Sequence, residues 1–289
     1  MLQKIKRIIP QKIKKGYRRL RDVLLPVEVR DTLYWLRIQQ PLTGLFGPYH
    51  QQNCKKIEID LTFDCNIKCI NCAKSCRQAP SREAISVEQI KKFIQESIEH
   101  ERRWESVILT GGEPTLHPFF LDIINLFLVY KKEFSPQTII DVFTNGKGVD
   151  VSAALNKLPA EVWVRNSRKT SFMTIFYPFN IGPVDLKEYR YVDYSNACVI
   201  AENCGIGLNC HGYYLCGIAA GIDRVLGFDM GRKKMPLPGD MFIEQRRRLC
   251  RYCGFFQRRY KYTQKERISP TWQEAYENYK HKNPQLSYY

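Results

Sequence analysis

The sequence lacks any apolar run of the roughly 18–20 residues that a helix needs to cross a bilayer. Its longest greasy stretch, residues 119–130, carries Asp122 and Asn125 and reads as a buried helix. The N-terminus has no apolar signal core and no small-residue cleavage site, so a cytoplasmic chain is expected. Acid is scarce: 29 Asp and Glu stand against 45 Lys and Arg, and residues 1–21 hold nine basic residues and no acid. That balance suits an acidic partner (phosphate, nucleic acid, an acidic peptide or an anionic membrane surface) without choosing among them. No internal repeat is visible, although Cys198, Cys204, Cys210 and Cys216 fall at an even spacing.

What is abundant is cysteine. The 289 residues are 44% hydrophobic and 26% charged, a composition that fits one large globular domain with a small appendage, and they include eleven cysteines. Cys65, Cys69, Cys72 and Cys76 form one group. Cys198, Cys204, Cys210, Cys216, Cys250 and Cys253 form another, more than a hundred residues on. Without an export signal, clustered thiols read as metal ligands rather than disulfides. Cys54 stands apart as a plain thiol.

Periodicity divides the chain into four parts. Residues 1–53 read as a basic arm, a helix interrupted by Pro10 and Gly16, followed by an irregular segment around Trp35, Leu45 and Phe46. Residues 54–197 read as an α/β core. Ile57, Ile59, Leu61 and Phe63 alternate with Glu58, Asp60 and Thr62, as a strand requires. Ser86 and Gln89 form a capping box ahead of Val87, Ile90, Ile94 and Ile98 on one helix face. Further strands are expected at Val107–Leu109, Thr138–Thr144 and Val162–Val164, with Pro118 in the first turn of a helix reaching about Lys132. Strands alternating with helices predict a parallel sheet or barrel. Beyond Arg165 the rhythm fails, leaving room for one or two strands and a short helix. Residues 198–256 read as a second, cysteine-rich domain, and residues 257–289 as a basic C-terminal tail.

The first cysteine loop follows the first strand directly. Its C-x3-C-x2-C spacing lets the thiolates of Cys65, Cys69 and Cys72 converge on one metal center, and three ligands on a four-iron cluster leave one iron open. Two other readings stay open: Cys76 as a fourth ligand, or a structural zinc. About forty residues on, at the end of the next strand, comes Gly111-Gly112-Glu113-Pro114. This pair of motifs, over residues 55–165, resembles the radical S-adenosylmethionine superfamily. The resemblance implies a partial (β/α)6 TIM-like barrel, truncated in its second half, with its site at the carboxyl ends of the strands. It implies a [4Fe–4S] cluster on the three cysteines and S-adenosylmethionine on its open iron. Gly111 and Gly112 would let the backbone approach, Glu113 would accept from the ligand's ammonium, and Pro114 would stiffen the turn. Thr144 and Asn145 would face the cofactor, and Asn166 and Ser167 would reach its ribose. The sequence departs from the family at Asn71, where an aromatic residue often stands.

The second group resembles the SPASM/twitch extensions of the same superfamily. Cys204 precedes a short hairpin with His211-Gly212 at its turn, Cys216 follows it, and Cys250 and Cys253 form a later C-x-x-C. The resemblance implies an auxiliary [4Fe–4S] cluster on Cys204, Cys216, Cys250 and Cys253, with Cys198 and Cys210 spare. A zinc site on the same thiols is the alternative. His211 reads as a turn residue, and Arg246, Arg247, Arg248 and Arg251 as a solvated face.

These features together imply an enzyme that cleaves S-adenosylmethionine to a 5′-deoxyadenosyl radical and abstracts hydrogen from a peptide or small-molecule substrate. A flavodoxin- or ferredoxin-like donor would supply the electron, and the basic arm would meet an anionic surface. The alternative is a non-catalytic basic zinc or iron–sulfur module that binds nucleic acid. No general acid or base can be named from the sequence.

Overall fold

A computed structural model of the chain describes residues 24–170, 179–257 and 268–289. The basic arm lies almost wholly outside the described residues. The segment after it is helical rather than irregular: α1 spans Val27–Arg37 and α2 spans Gln40–Phe46. Pro26 and Pro41 stand at the helix starts, where a missing N–H costs nothing, so these prolines begin helices instead of breaking them. Trp35 Nε1 donates to Glu188 O at 3.0 Å, and Asn196 Nδ2 donates to Thr43 Oγ1 at 2.6 Å, fixing both helices to the body of the protein.

The sheet grows from β1 (Lys56–Thr62), β2 (Ser106–Gly111), β3 (Ile139–Thr144) and β4 (Val162–Asn166), all parallel. Alternation sets the faces of β1: Ile57, Ile59 and Leu61 are fully buried among the core apolar residues, and Glu58 and Asp60 turn to the other side. The crossovers are α3 (Val87–Glu99), α4 (Phe120–Glu133) and α5 (Val149–Leu155). The capping box starts α3 as expected: Gln89 N donates to Ser86 Oγ at 3.1 Å and Ser86 N to Gln89 Oε1 at 2.8 Å. Phe120, Ile123, Ile124, Phe127 and Tyr130 make the buried stripe of α4.

After β4 the barrel does not continue in the expected way. The described part of residues 167–205 holds no strand, only 3-10 turns at Pro183–Asp185, Lys187–Tyr189 and Tyr194–Asn196 and the short helix α6 (Val199–Asn203). Instead β5 (Ile206–Asn209) returns to the free side of β1 and pairs with it in parallel, and β6 (Gly212–Tyr214) adds antiparallel to β5. The order is β4-β3-β2-β1-β5-β6 in one six-stranded sheet. The cysteine-rich part is therefore continuous with the core sheet rather than set apart from residue 198 onward. Sequence explains this: Ile206 and Leu208 are fully buried, and Gly205, at φ +85°, lies where a Cβ would come within 2.2 Å of Lys56 O. The hairpin turn is Cys210-His211, one residue earlier than expected.

Two helices then pack back, α7 (Gly217–Leu226) and α8 (Ile243–Leu249). Within the expected tail lies a third helix, α9 (Pro270–His281). Its Trp272, Ala275, Tyr276 and Tyr279 are buried, a helical period that outweighs the surrounding Lys and His. The α9 face touches both cysteine regions: Tyr276 Oη lies 3.1 Å from Ser75 Oγ, and Trp272 Nε1 donates to Tyr252 O at 2.7 Å.

Candidate active site

The first cysteine loop leaves the carboxyl end of β1, and the Gly-Gly turn ending β2 is seated on its base. Gly112 N donates to Thr62 O at 2.7 Å and Glu113 N to Asp64 O at 2.8 Å. A Cβ on Gly111 would stand 2.3 Å from Thr62 O, and one on Gly112 2.1 Å from Asp64 O. The glycines thus admit the cysteine loop's own backbone. Glu113 is fully buried and holds two strand ends together. Its Oε1 accepts from Thr144 Oγ1 and Thr115 Oγ1, each at 2.8 Å, and its Oε2 accepts from Asn145 N at 2.8 Å. The Glu113 carboxylate, expected to face the cofactor, is engaged by the loops around it, with one acceptor position of Oε2 left over.

Asn145 reaches the cysteines: its Nδ2 donates to Asn66 Oδ1 at 2.8 Å and lies 4.0 Å from Cys65 Sγ. Asn166 and Ser167 sit at the end of β4, where Ser167 Oγ donates to Thr144 O at 3.0 Å and Asn166 Oδ1 accepts from Arg168 N at 2.7 Å. Their side chains serve the turn. Asn71 is fully buried in left-handed backbone, at φ 56°.

All four loop thiols are free. Burial pushes Cys65 up to about 12, and the nearby Cys72, Glu113 and Cys69 add to the rise. Cys76 hydrogen-bonds Cys72, which lowers Cys72 and raises Cys76 well above the usual thiol range. Of this pair Cys72 is the thiol more disposed to ionize, which suits a metal ligand. The donor set fits an iron–sulfur cluster: soft thiolates on one loop, buried in a cradle of backbone.

Between Cys72 and Cys76 stands a group that sequence reasoning passed over. Lys74 Nζ lies 2.8 Å from Glu58 Oε1 and 2.7 Å from Asp60 Oδ1, all three side chains being buried or nearly so. The two acids alternate on the inner face of β1, which was the legible signal. Helix α7 closes over this network. A Cβ on Gly217 would stand 2.3 Å from Glu58 Oε1, and one on Gly221 2.8 Å from Ala73 O. Arg224 Nη2 donates to Lys74 O at 2.9 Å. The residue before α7 is Cys216, so this helix joins the two cysteine groups.

Burial governs the thiols of the second group. Cys250 and Cys253 are driven well above the usual thiol range by burial, and Cys198 and Cys216 are the thiols pressing next on both. Cys216, pushed up to about 12 by burial, likewise senses Cys198 first. Cys204, raised to about 11 by burial, has Glu58 and Lys74 as its foremost charged neighbors and lines an outer groove with Lys56 and Ser106. By these neighborhoods Cys198 is grouped with Cys216, Cys250 and Cys253, while Cys204, one of the four expected ligands, lies beside Glu58 and Lys74, just before Gly205 at the amino end of β1. Cys198, Cys216, Cys250 and Cys253 are all free and buried, a donor set that fits a fully ligated cluster. Arg246, expected on a solvated face, is fully buried beside them and donates from Nη1 to Ser195 O at 3.0 Å and His50 O at 3.2 Å. Cys54, as expected, is an ordinary half-buried thiol, 3.6 Å from Asp240 O.

With that geometry in place, comparison with known proteins adds a match within the core. Residues 59–161 match the Radical SAM superfamily. The matched segment contains the C-x3-C-x2-C loop, the Gly-Gly-Glu-Pro turn and the Thr144-Asn145 strand end, and it stops short of Asn166 and of the second cysteine group. Two solved structures are similar to the chain. BtrN in complex with AdoMet and 2-DOIA shares 13% identity, with a TM-score of 0.42, covering 71% of this chain and 94% of that one. Selenomethionyl BtrN in an open conformation shares 14% identity, with a TM-score of 0.39, covering 76% of this chain and 94% of that one. No curated protein matches the sequence. Among the described residues, no helix is long and apolar enough to cross a membrane.

Proposed function

We propose that the chain is a radical S-adenosylmethionine enzyme, with Cys65, Cys69 and Cys72 holding a [4Fe–4S] cluster whose open iron takes the cofactor. When bound, these groups supply reductive cleavage of the cofactor to methionine and a 5′-deoxyadenosyl radical, which takes a hydrogen atom from a peptide or small-molecule substrate. The chain's own contribution is position and enclosure. Glu113 clamps the ends of β2 and β3. Asn145 fixes its amide beside Cys65, and Gly112 lets the β2 turn rest on the cysteine loop. Lys74 supplies a buried positive charge within the cluster loop, where the thiolates would carry negative charge.

A second [4Fe–4S] cluster is assigned to Cys198, Cys216, Cys250 and Cys253, with the Arg246 guanidinium offsetting its charge. A reduced flavodoxin- or ferredoxin-like protein would deliver the electron. The observation that carries the reading is the seating of the Gly-Gly-Glu-Pro turn on a three-thiol loop at the carboxyl end of β1, inside the matched segment. The test is anaerobic reconstitution with iron and sulfide, then dithionite and S-adenosylmethionine, with 5′-deoxyadenosine measured by mass spectrometry. The reading expects release from the wild type and none from Cys69→Ala. A wild type that carries iron and releases none would refute it.

A further inference from the structure

We infer that Glu83, Cys210 and His211 form a zinc site at the carboxyl end of β1 and β5, distinct from the two proposed cluster sites and independent of the proposed radical chemistry. One ligand atom from each lies within 4.8 Å of the other two. His211 Nε2 stands 3.4 Å from Glu83 Oε1. Tetrahedral zinc with bonds of about 2.0–2.3 Å needs neighboring ligands about 3.3–3.6 Å apart, so the three atoms close onto an ion with small movements.

The surroundings are those of a built site. Cys210 is 1% exposed and His211 2% exposed. Neither ring nitrogen of His211 completes a hydrogen bond, although both are enclosed. A buried imidazole left in that state is costly, and metal coordination is one of the few ways to satisfy it. Ser81 Oγ donates to Glu83 Oε2 at 3.0 Å, as outer partners of zinc carboxylates do, while Oε1 is turned toward His211 and also accepts from Tyr288 Oη at 3.4 Å. The Tyr288 ring covers the imidazole, with centroids 5.2 Å apart.

A plain Glu83–His211 ion pair would explain one contact. It would leave the other ring nitrogen and the Cys210 thiol without a role. One thiol, one imidazole and one carboxylate make a mixed donor set that suits zinc better than harder or softer ions. On binding, the Cys210 sulfur exchanges its proton, released to solvent, for a bond to zinc. The ion would tie the β5–β6 turn to the strand-end segment whose Glu83 O accepts from Phe63 N at 3.0 Å.

The test uses the full-length, iron-loaded protein incubated with zinc sulfate, desalted and analyzed for zinc and iron by mass spectrometry. The wild type is expected to keep about one zinc with one Zn–S distance near 2.3 Å and a shell of lighter ligands, read from zinc-edge X-ray absorption. Cys210→Ser and His211→Gln should each lose that zinc and keep their iron, and Ser81→Ala should weaken binding by about tenfold. No retained zinc overturns the proposal. So does a shell of three or four sulfurs, which would place the ion in a cysteine group. The absorption measurement on the wild type decides even where a variant fails to fold.

Discussion

Replacing Lys74 by methionine isolates the charge network between the two cysteine groups. The substitution keeps the side chain's stem and removes its ammonium. Glu58 and Asp60, respectively 2.8 and 2.7 Å from that nitrogen, are then left facing each other in a closed space. Removing one partner of a buried ion pair costs about 3–5 kcal/mol because the remaining charge is uncompensated. At about 2–3 °C per kcal/mol for a chain of this size, the melting temperature should fall by roughly 6–15 °C. Adding Glu58→Gln and Asp60→Asn should restore part of the loss, with a coupling of about 1–3 kcal/mol. Lys91→Met, which breaks an exposed pair with Glu88, should change stability by less than about 0.5 kcal/mol. Burial already pushes the Asp60 carboxyl above its ordinary range, and losing Lys74 raises it further. The folded state then holds a proton that the unfolded chain releases above about pH 3.9. Stability therefore rises as pH falls through the folded value, and the variant's deficit should shrink between pH 8 and pH 6. A melting temperature within about 2 °C of wild type at pH 8, or a deficit that grows toward pH 6, would refute the reasoning.

Cys198→Ser should remove about four irons per chain while Cys204→Ser leaves the iron count unchanged, and the opposite pattern would restore Cys204 to the ligand set. Gly112→Ala forces a Cβ to within 2.1 Å of Asp64 O and should cost about 1–3 kcal/mol and loosen iron at the first site, read by denaturant unfolding and iron analysis. Trp272→Ala should cost about 3–5 kcal/mol in the same unfolding assay, whereas a solvated tail would show almost no change.

The core was legible because its signals are local. Alternation on β1, the Ser86–Gln89 box and the paired motifs at successive strand ends each need only neighboring residues. What failed depended on distant partners. Pro26 and Pro41 punctuate the chain, and nothing nearby says whether they start a helix or end one. The Trp272, Ala275, Tyr276 and Tyr279 stripe was masked by charged neighbors. Cys198 and Cys204 fall at an even six-residue spacing, so any choice between them as ligands rests on the pairing of β5 with β1, which the sequence does not show. Glu58 and Asp60 announced a polar inner face on β1, but their counter-ion comes from the cysteine loop. Arg246 sits in a basic run that reads as surface until α8 is packed.

The most direct test of the central claim is the electron paramagnetic resonance spectrum of the dithionite-reduced protein carrying Cys250→Ala and Cys253→Ala, which leaves the first cluster as the source of signal. Adding S-adenosylmethionine should shift that spectrum, and should shift it equally when Cys76 is replaced by alanine. A spectrum indifferent to the cofactor, or one abolished by Cys76→Ala, would mean that no iron on this loop is open.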